Sequence, residues 1–485
     1  MPVFSLPSPY GIGSFGQGAY DFIDFLHAAG QKCWQLLPLC PTSYGDSPYQ
    51  SPAALAGNPY FIDLDLLCEQ GLLKKAEIRG EKTRGGVIDY GRLFLTRYDV
   101  LRLAFSRFSE GKEYRAFLKS AREWIDDYSL FMALKVHNNH RAWYEWEHEH
   151  KEVRLARRLA KDFREECNFW KWVQYEFFRQ WQGVLNYAHS KGILIIGDMP
   201  IYVAHDSMDV WRAPEQFLLD DDRMPTLVAG CPPDAYSETG QLWGNPIYNW
   251  ELMELDGFSW WINRVRHSYK LYDILRIDHF RGFAGYYTIP AGDSDATRGF
   301  WNVAPGGALF DAIKSAFPKA KIISEDLGFI TDDVRALLDY TKFPGMKVLQ
   351  FAFYGEDSEY LPRTYTTDNS VVYTATQDSD CTRSWYRSLS REDKRRLRRE
   401  CPRKDGQSVT SAVIDLALGS RANLAIVPIG DYLELTSEQG RINTPSTSEG
   451  NWQWRINKSY NKGELGKKIL AHTTRAKRNT KKPLN

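Results

Sequence analysis

Seven short apolar runs recur along the chain, and each of them ends in polar or charged residues. Longer segments with the spacing of amphipathic helices separate these runs, so the pattern alternates strand with helix. Continuous apolar runs predict parallel strands that are buried on both faces, and a series this long predicts an α/β fold of the (β/α)8 TIM-barrel type rather than an open sheet. The predicted strands are residues 31–39, 192–203, 272–280, 320–328, 346–353, 370–380 and 422–431.

The rest of the chain is assigned around this barrel. The closing eighth strand is expected in the segment PVFSLPSPYGIG, residues 2–13. Residues 70–190 have helical periodicity over a stretch too long for one crossover helix, so we expect an inserted, mainly helical subdomain there. Residues 205–260 contain many Gly and Pro and predict a large loop insertion over the cleft of a single catalytic domain, 1–485.

The net charge and the cysteine pattern argue against several classes of binding partner and structural site. Lysine and arginine number 62 against 61 acids, and the net charge of +1 gives no general attraction for nucleic acid or an anionic membrane. The seven cysteines form no C-x-x-C pair, which argues against a disulfide framework and a zinc ribbon. We found neither an apolar run of ~20 residues nor a signal-peptide pattern, so we expect a cytoplasmic protein. No metal and no cofactor are predicted, since neither ligand spacing nor a phosphate-binding glycine loop is present.

Four carboxylates follow predicted strands, namely Asp198, Asp278, Glu325 and Asp378. Parallel strands deliver their C-terminal ends to one face, where barrel enzymes place their chemistry, so we expect the four to converge. A single strand-end aspartate is often only the N-cap of the next helix, but four charges in one cleft are costly to bury. Two carboxyl groups about 5 Å apart suit retaining glycosidic chemistry, one as nucleophile and one as acid and then base. Arg276 is expected to keep Asp278 ionised for the nucleophilic role.

Aromatic residues make up 14% of the chain, including 16 Trp and 27 Tyr. Their flat apolar faces and polar edges suit contacts with sugar rings. Aromatic residues also fill ordinary cores, and composition leaves both interpretations open.

Several long motifs point to a family. They are SLPSPYGIG, GDSPYQSP, AGNPYFIDL, IGDMPIYVAHDSMDVW, GCPPDAYSETGQLWGNPIY, LRIDHFRGF, SEDLG, FPGMKVLQFAF and GNWQWR. Together they resemble the amylomaltase family, also called 4-α-glucanotransferases or disproportionating enzymes. The resemblance extends from about residue 3 to about residue 460, which is essentially the whole chain.

The resemblance implies retaining transfer of a 4-α-glucanosyl unit between α-1,4-glucans or malto-oligosaccharides, through a covalent glycosyl-enzyme intermediate. It makes Asp278 the nucleophile, Glu325 the acid and base, and Asp378 the carboxylate that binds the donor sugar's hydroxyls. The other residues to which we give a role in the substrate site are Ser47, Tyr49, Asp206, Trp243, Arg276, His279, Gln377 and Asn451. For Trp243, packing within its loop is an equally weighted alternative.

The sequence departs from the family pattern beside the third carboxylate, where the family has Gly, His and Asn and this chain has Ala375, Gln377 and Ser379. Three functions therefore stay open: a working or slow glucanotransferase, an α-glucan hydrolase of the related barrel type, and a glucan-binding paralogue without turnover. The retained carboxylates favour the first over the third. The aromatic loops around 44–60 and 231–250 suit exclusion of water, and so transfer over hydrolysis. The oligomeric state is not predicted.

Overall fold

The computed structural model describes residues 1–43, 45–83, 85–233, 237–328, 330–447, 449–461, 463–481 and 483–484. The strands, in chain order, are β1 (Cys33–Gln35), β2 (Leu194–Met199), β3 (Leu227–Cys231), β4 (Gln241–Pro246), β5 (Ile274–Ile277), β6 (Gly285–Pro290), β7 (Phe300–Val303), β8 (Ile322–Ser324), β9 (Gly345–Val348), β10 (Ser370–Tyr373) and β11 (Leu424–Ile426).

Nineteen α-helices lie within these described residues. They are α1 (Gln17–Ala28), α2 (Leu64–Glu69), α3 (Tyr90–Phe105), α4 (Lys112–Ser120), α5 (Ile125–His137), α6 (His148–Lys151), α7 (Val153–Leu159), α8 (Arg164–Ser190), α9 (Met208–Arg212), α10 (Trp250–Leu255), α11 (Ser259–Leu271), α12 (Gly306–Ala316), α13 (Asp332–Thr341), α14 (Thr382–Ser388), α15 (Arg391–Glu400), α16 (Val409–Gly419), α17 (Ile429–Tyr432), α18 (Ser437–Gly440) and α19 (Leu465–Arg475).

All seven predicted strands are present in one parallel sheet, in the order β1-β2-β5-β8-β9-β10-β11. Every residue of β5 and of β10 is buried, which is why these strands read as continuous apolar runs. The sheet curls into a nearly closed barrel surrounded by helices, so the predicted fold class is confirmed. The strands are shorter than the predicted runs because the chain turns into loops and short helices where the polar residues begin.

Side chains from successive strands fill the barrel interior, including Ile196, Ile274, Ile323, Met346 and Val371. The Tyr373 hydroxyl of β10 donates a hydrogen bond to Gln35 Oε1 of β1, at 2.9 Å. The interior is therefore a packed core, and chemistry is confined to the mouth at the C-terminal ends of the strands.

The prediction of a strand within residues 2–13 was wrong. Val3–Ser5 form a 3-10 helix instead. The Ser5 carbonyl accepts from the Ile456 amide at 3.0 Å, and the Phe4 carbonyl accepts from the Gly13 amide at 2.8 Å, so the segment's backbone bonds lead away from the barrel strands. Pro2 and Pro7 flank this short run, and because proline has no N–H and a fixed φ, little length remains for a strand ladder.

Between β1 and β2 the described residues form helices α2 to α8, and the 27-residue helix α8 packs against α5. Much of the aromatic content is core, because the most completely buried side chains include Trp143, Trp172, Trp181, Trp211 and Trp261. The division of the chain into subdomains at 70–190 and 205–260 stays a prediction.

A second, antiparallel sheet has the order β4-β3-β6-β7. Its strands β3 and β4 lie within the segment for which a loop was predicted, and β7 is an edge strand. The sheet leads from the barrel mouth, where Trp243 of β4 contacts the His279 ring, outward to β7.

No helix among the described residues is both long enough and apolar enough to cross a membrane.

Candidate active site

The four strand-end carboxylates meet at the barrel mouth. Asp198 is the penultimate residue of β2, Asp278 directly follows β5, Glu325 directly follows β8, and Asp378 lies five residues beyond β10. Hydrogen bonds through side chains connect Asp198, Asp278 and Asp378, and Glu325 binds the backbone amide of the residue that follows Asp278. The convergence that the sequence predicted is therefore present.

Arg276 joins two of these carboxylates. Its Nη1 donates to Asp198 Oδ1 at 2.6 Å and to Asp278 Oδ1 at 2.9 Å. Strand register explains this geometry, because Arg276 is in register with Asp198 on the neighbouring strand and Asp278 follows Arg276 by two residues, just past the end of β5. Residues so related point to the same face of a sheet. The guanidinium is only 3% exposed, so these ion pairs are poorly screened by water.

The pKa values of these acids are raised by burial to different extents. Burial raises the pKa of Asp198 to about 6, and Arg276 is the main opposing influence. Burial also raises the pKa of Asp278, again opposed chiefly by Arg276. Burial and then the charge of Asp278 raise the pKa of Glu325 well above its usual range. Arg276 contacts Asp278 directly, so this arrangement favours ionisation of Asp278 over ionisation of Glu325.

Glu325 is held by backbone amides. Its Oε2 accepts from the His279 amide at 2.6 Å, and its Oε1 accepts from the Leu327 amide at 3.2 Å. His279 adopts a left-handed backbone conformation with φ 49°, which turns the chain sharply after Asp278 and aims this amide at Glu325. The Glu325 carboxyl group is thus fixed beside the residue that follows Asp278.

The His279 side chain forms one wall of the site. Its ring meets Trp243 edge-to-face, with centroids 4.8 Å apart. Burial and then Arg281 lower the pKa of His279 to about 3, so the imidazole is neutral at physiological pH. Gly282 gives this ring room, because a Cβ at that position would lie 3.1 Å from His279 Cδ2 and 2.6 Å from Ile201 Cδ1.

Asp378 is the most exposed of the four carboxylates, and two amide side chains bind it. Asn443 Nδ2 donates to Oδ1 at 2.6 Å, and Gln377 Nε2 donates to Oδ2 at 3.2 Å. Gln377 Nε2 also donates to the Tyr49 hydroxyl at 3.0 Å, which in turn donates to Asp198 Oδ2 at 2.7 Å. A continuous chain of hydrogen bonds therefore connects Asp378 to Asp198.

Two other predicted binding residues, Ser47 and Asn451, form hydrogen bonds within their own loops. Ser47 Oγ accepts from the Tyr49 amide at 3.2 Å and so shapes the turn that presents Tyr49. The Asn451 side chain bonds to the Thr444 amide at 2.8 Å and to the Thr447 carbonyl at 2.9 Å, within its own loop. Both residues support the walls of the cleft through the backbone.

Asp206 is not in contact with the other carboxylates. Its Oδ2 accepts from Lys135 Nζ at 2.6 Å, and its Oδ1 accepts from the Trp143 amide at 3.1 Å. These bonds tie the segment after β2 to the helices before it.

Comparison with known proteins identifies the family. A family model described as 4-alpha-glucanotransferase matches residues 1–460. The chain belongs to the 4-alpha-glucanotransferase family. It is similar to the 4-alpha-glucanotransferase of Clostridium butyricum, with 46% identity over 98% of this chain and 99% of that protein. It is also similar to that of Aquifex aeolicus, with 44% identity over 97% of each chain.

Solved structures of amylomaltases are similar to this chain as well. The amylomaltase of Streptococcus agalactiae in complex with acarbose superposes with a TM-score of 0.95 and 39% identity, covering 99% of this chain and 98% of that one. The amylomaltase of Corynebacterium glutamicum has 17% identity and a TM-score of 0.77, covering 97% of this chain and 74% of that one, which shows a shared fold.

Two residues near the carboxylates of this 4-alpha-glucanotransferase family member were missed from the sequence. They are Asn443, which binds Asp378, and Arg441, which donates to Asp380 Oδ1 at 2.6 Å and to the Asp378 carbonyl at 3.3 Å. Both lie in the segment RINTPSTSEGNWQWR, in which the sequence predicted a binding role for Asn451 alone. Within the described part of the chain, no group of three or more His, Cys, Asp or Glu side chains is arranged to hold a metal ion.

Proposed function

We propose that this chain transfers a segment of an α-1,4-glucan to an acceptor glucan or glucose by a retaining double displacement. The observation that carries the proposal is the different bonding of two neighbouring acids. Asp278 is bound directly by a buried arginine, whereas Glu325, within the described residues, accepts from the backbone amides of His279 and Leu327. This arrangement supports an ionised nucleophile beside a protonated acid, the pair that retaining chemistry requires.

In the first step, a carboxylate oxygen of Asp278 forms a bond to C1 of the donor sugar as the glycosidic C1–O bond breaks. Glu325 gives its proton to the departing oxygen, which leaves as the 4-hydroxyl of the released glucan. Asp378 binds hydroxyls of the same sugar, and these hydroxyls replace the amide donors of Gln377 and Asn443. Such bonds strengthen as positive charge develops on the ring.

In the second step, the 4-hydroxyl of an acceptor sugar attacks C1 and the bond to Asp278 breaks. Glu325, now ionised, takes the proton of the attacking hydroxyl, and the enzyme returns to its starting state. The two displacements together retain the α configuration. Trp243 and Tyr49 supply aromatic walls for the acceptor, and a bound acceptor sugar excludes the water that would otherwise hydrolyse the intermediate.

The test of this function is incubation with maltotriose followed by chromatography of the products. We expect glucose together with a ladder of oligosaccharides longer than maltotriose. Glucose and maltose alone would favour the hydrolase alternative. Unchanged maltotriose would favour a glucan-binding protein without turnover.

Arg276→Met is expected to move the acid limb of the kcat/KM profile to higher pH by about one to three units. Loss of the cation removes the main influence that opposes the raised pKa of Asp278, so the nucleophile stays protonated to a higher pH. The free energy of unfolding should also fall, by about 3–5 kcal/mol, because two partly or fully buried carboxylates lose their partner. The measurements are a pH series on maltotriose and a denaturant titration.

The control for this prediction is Arg266→Met, which removes an exposed arginine from α11. It should leave the acid limb in place. An unchanged acid limb in Arg276→Met, in protein that still unfolds cooperatively, would contradict the role given to Arg276.

The triple variant Ala375→Gly, Gln377→His and Ser379→Asn is expected to raise kcat/KM for maltotriose several-fold. These are the residues that the family resemblance gives beside Asp378. A histidine hydrogen bond to the donor sugar should strengthen more in the transition state than that of a neutral amide, by on the order of 1–2 kcal/mol. The three single variants measured in parallel separate the contributions. A loss of activity in the triple variant would show that this loop is adapted to its present residues.

A further inference from the structure

Trp301 differs from most tryptophans of this chain in its exposure. It is 42% exposed, whereas Trp172, Trp181 and Trp261 are almost completely buried. It lies on β7, the edge strand of the second sheet. Exposed indole rings are uncommon on a protein surface unless they meet a ligand or a partner, because the ring carries a large apolar area.

The Trp301 ring is braced from within the protein. The Arg281 guanidinium lies over the ring, 3.8 Å from its centroid, and Tyr287 contacts the ring edge-to-face at 5.2 Å. Tyr287 is itself fixed, because its hydroxyl donates to the Ala296 carbonyl at 2.9 Å. These two contacts hold the indole in one orientation, and its 42% exposure leaves apolar ring surface available to a ligand.

The position of the ring connects it with the active site. Arg281 is three residues beyond Asp278, in the segment that leaves the nucleophile. Gly285 lies close to both Trp301 and Asp333. A Cβ atom added at Gly285 would be 3.9 Å from Trp301 Cε3 and 3.7 Å from Asp333 Oδ2. Asp333 is the second residue of α13, the helix that follows Glu325 along the chain. Trp301 therefore lies at the rim of the mouth, between the segments that leave the two carboxylates.

We propose that Trp301 is a stacking platform for an α-1,4-glucan chain that extends beyond the sugars bound at the carboxylates. The proposal rests on the proposed function, because a polymer substrate must leave the mouth over its rim. The C–H faces of glucose rings are apolar and match an indole face. Arg298, 74% exposed and paired with Asp293 at 3.0 Å, lies three residues before Trp301 and offers planar polar groups for sugar hydroxyls.

The test compares a long glucan with a short one. We expect Trp301→Ala to bind amylose about tenfold more weakly in affinity gel electrophoresis, in line with the loss of one aromatic contact. We expect its kcat/KM for maltotriose to stay within about twofold of the parent, because maltotriose is too short to reach the rim. Trp301→Phe should restore most of the amylose binding.

Phe300→Ala is the matched control. Phe300 is 47% exposed on the same strand, and alternate residues of a strand point to opposite faces, so it removes similar apolar surface from the other face. It should leave amylose binding unchanged.

The outcomes separate this proposal from the proposed function. Unchanged amylose binding in Trp301→Ala would overturn the platform, as would an equal loss on amylose and maltotriose, which would place Trp301 in the main site. A change of oligomeric state with unchanged amylose binding would also overturn it, in favour of a contact between copies of the chain. Weaker amylose binding in Trp301→Ala would support the platform even if the parent protein did not transfer sugars.

Discussion

Asp278→Asn is expected to lower transfer from maltotriose by at least about 10⁴-fold, while the Kd for malto-oligosaccharides stays within about tenfold. The amide has the same shape as the carboxylate but cannot attack the anomeric carbon. It also cannot form an ion pair with Arg276, which keeps its second partner, Asp198, so the local structure should persist. The measurements are product formation from maltotriose and calorimetric titration with maltotetraose.

The matched control for this variant is Asp273→Asn. Asp273 directly precedes β5, at the end of the strand opposite to Asp278, and the two side chains are similarly exposed, at 24% and 26%. This control should retain transfer. Substantial transfer by Asp278→Asn, with contamination by parent enzyme excluded, would overturn the assignment of the nucleophile.

Glu325→Gln is expected to slow glycosylation by natural glucans by about 10²–10⁴-fold and to spare donors with a good leaving group. A fluoride ion departs without a proton, so an α-glucosyl fluoride should still load the enzyme. Single-turnover measurements with the two donor types on the same variant provide the comparison. An equal loss for both donors would show that Glu325 is not the acid.

The same variant also bears on pH dependence. Burial and the charge of Asp278 raise the pKa of Glu325, so the proton that it donates is lost only on the alkaline side of the profile. The parent enzyme should therefore lose kcat/KM for maltotriose as pH rises through this ionisation. With the fluoride donor, Glu325→Gln should show no such alkaline limb, because the amide does not ionise.

The barrel was predictable because its strands are buried on both faces and so leave continuous apolar runs in the sequence. The second sheet was not, because its pairing joins residues 227–246 to 285–303 and the register shifts between Val228 and Gly230, which disrupts alternation. Its edge strand β7 also exposes apolar side chains, which weakens the usual pattern.

The acidic residues of the candidate site could be predicted from the sequence, but most of the residues that bind them could not. The positions of Asp198, Asp278 and Glu325 at predicted strand ends were enough to place them together, because the C-terminal ends of parallel strands lie on one face of the barrel. The second partner of Arg276 lies 78 residues away and depends on strand register, which no local pattern specifies. Asn443 is 65 residues from Asp378 and reaches it through a loop, so its bond likewise required the structure.

The most direct test of the central claim is to trap the intermediate in Glu325→Gln with an α-maltosyl fluoride and to locate the attached sugar by mass spectrometry of proteolytic peptides. Glycosylation should be fast with this donor, and removal should be slow because the variant lacks the base that activates the acceptor. We expect one glycosyl group, attached to Asp278 and absent from the Glu325→Gln, Asp278→Asn double variant. Attachment to another carboxylate, or fluoride release without any covalent adduct on the protein, would contradict the retaining mechanism proposed here.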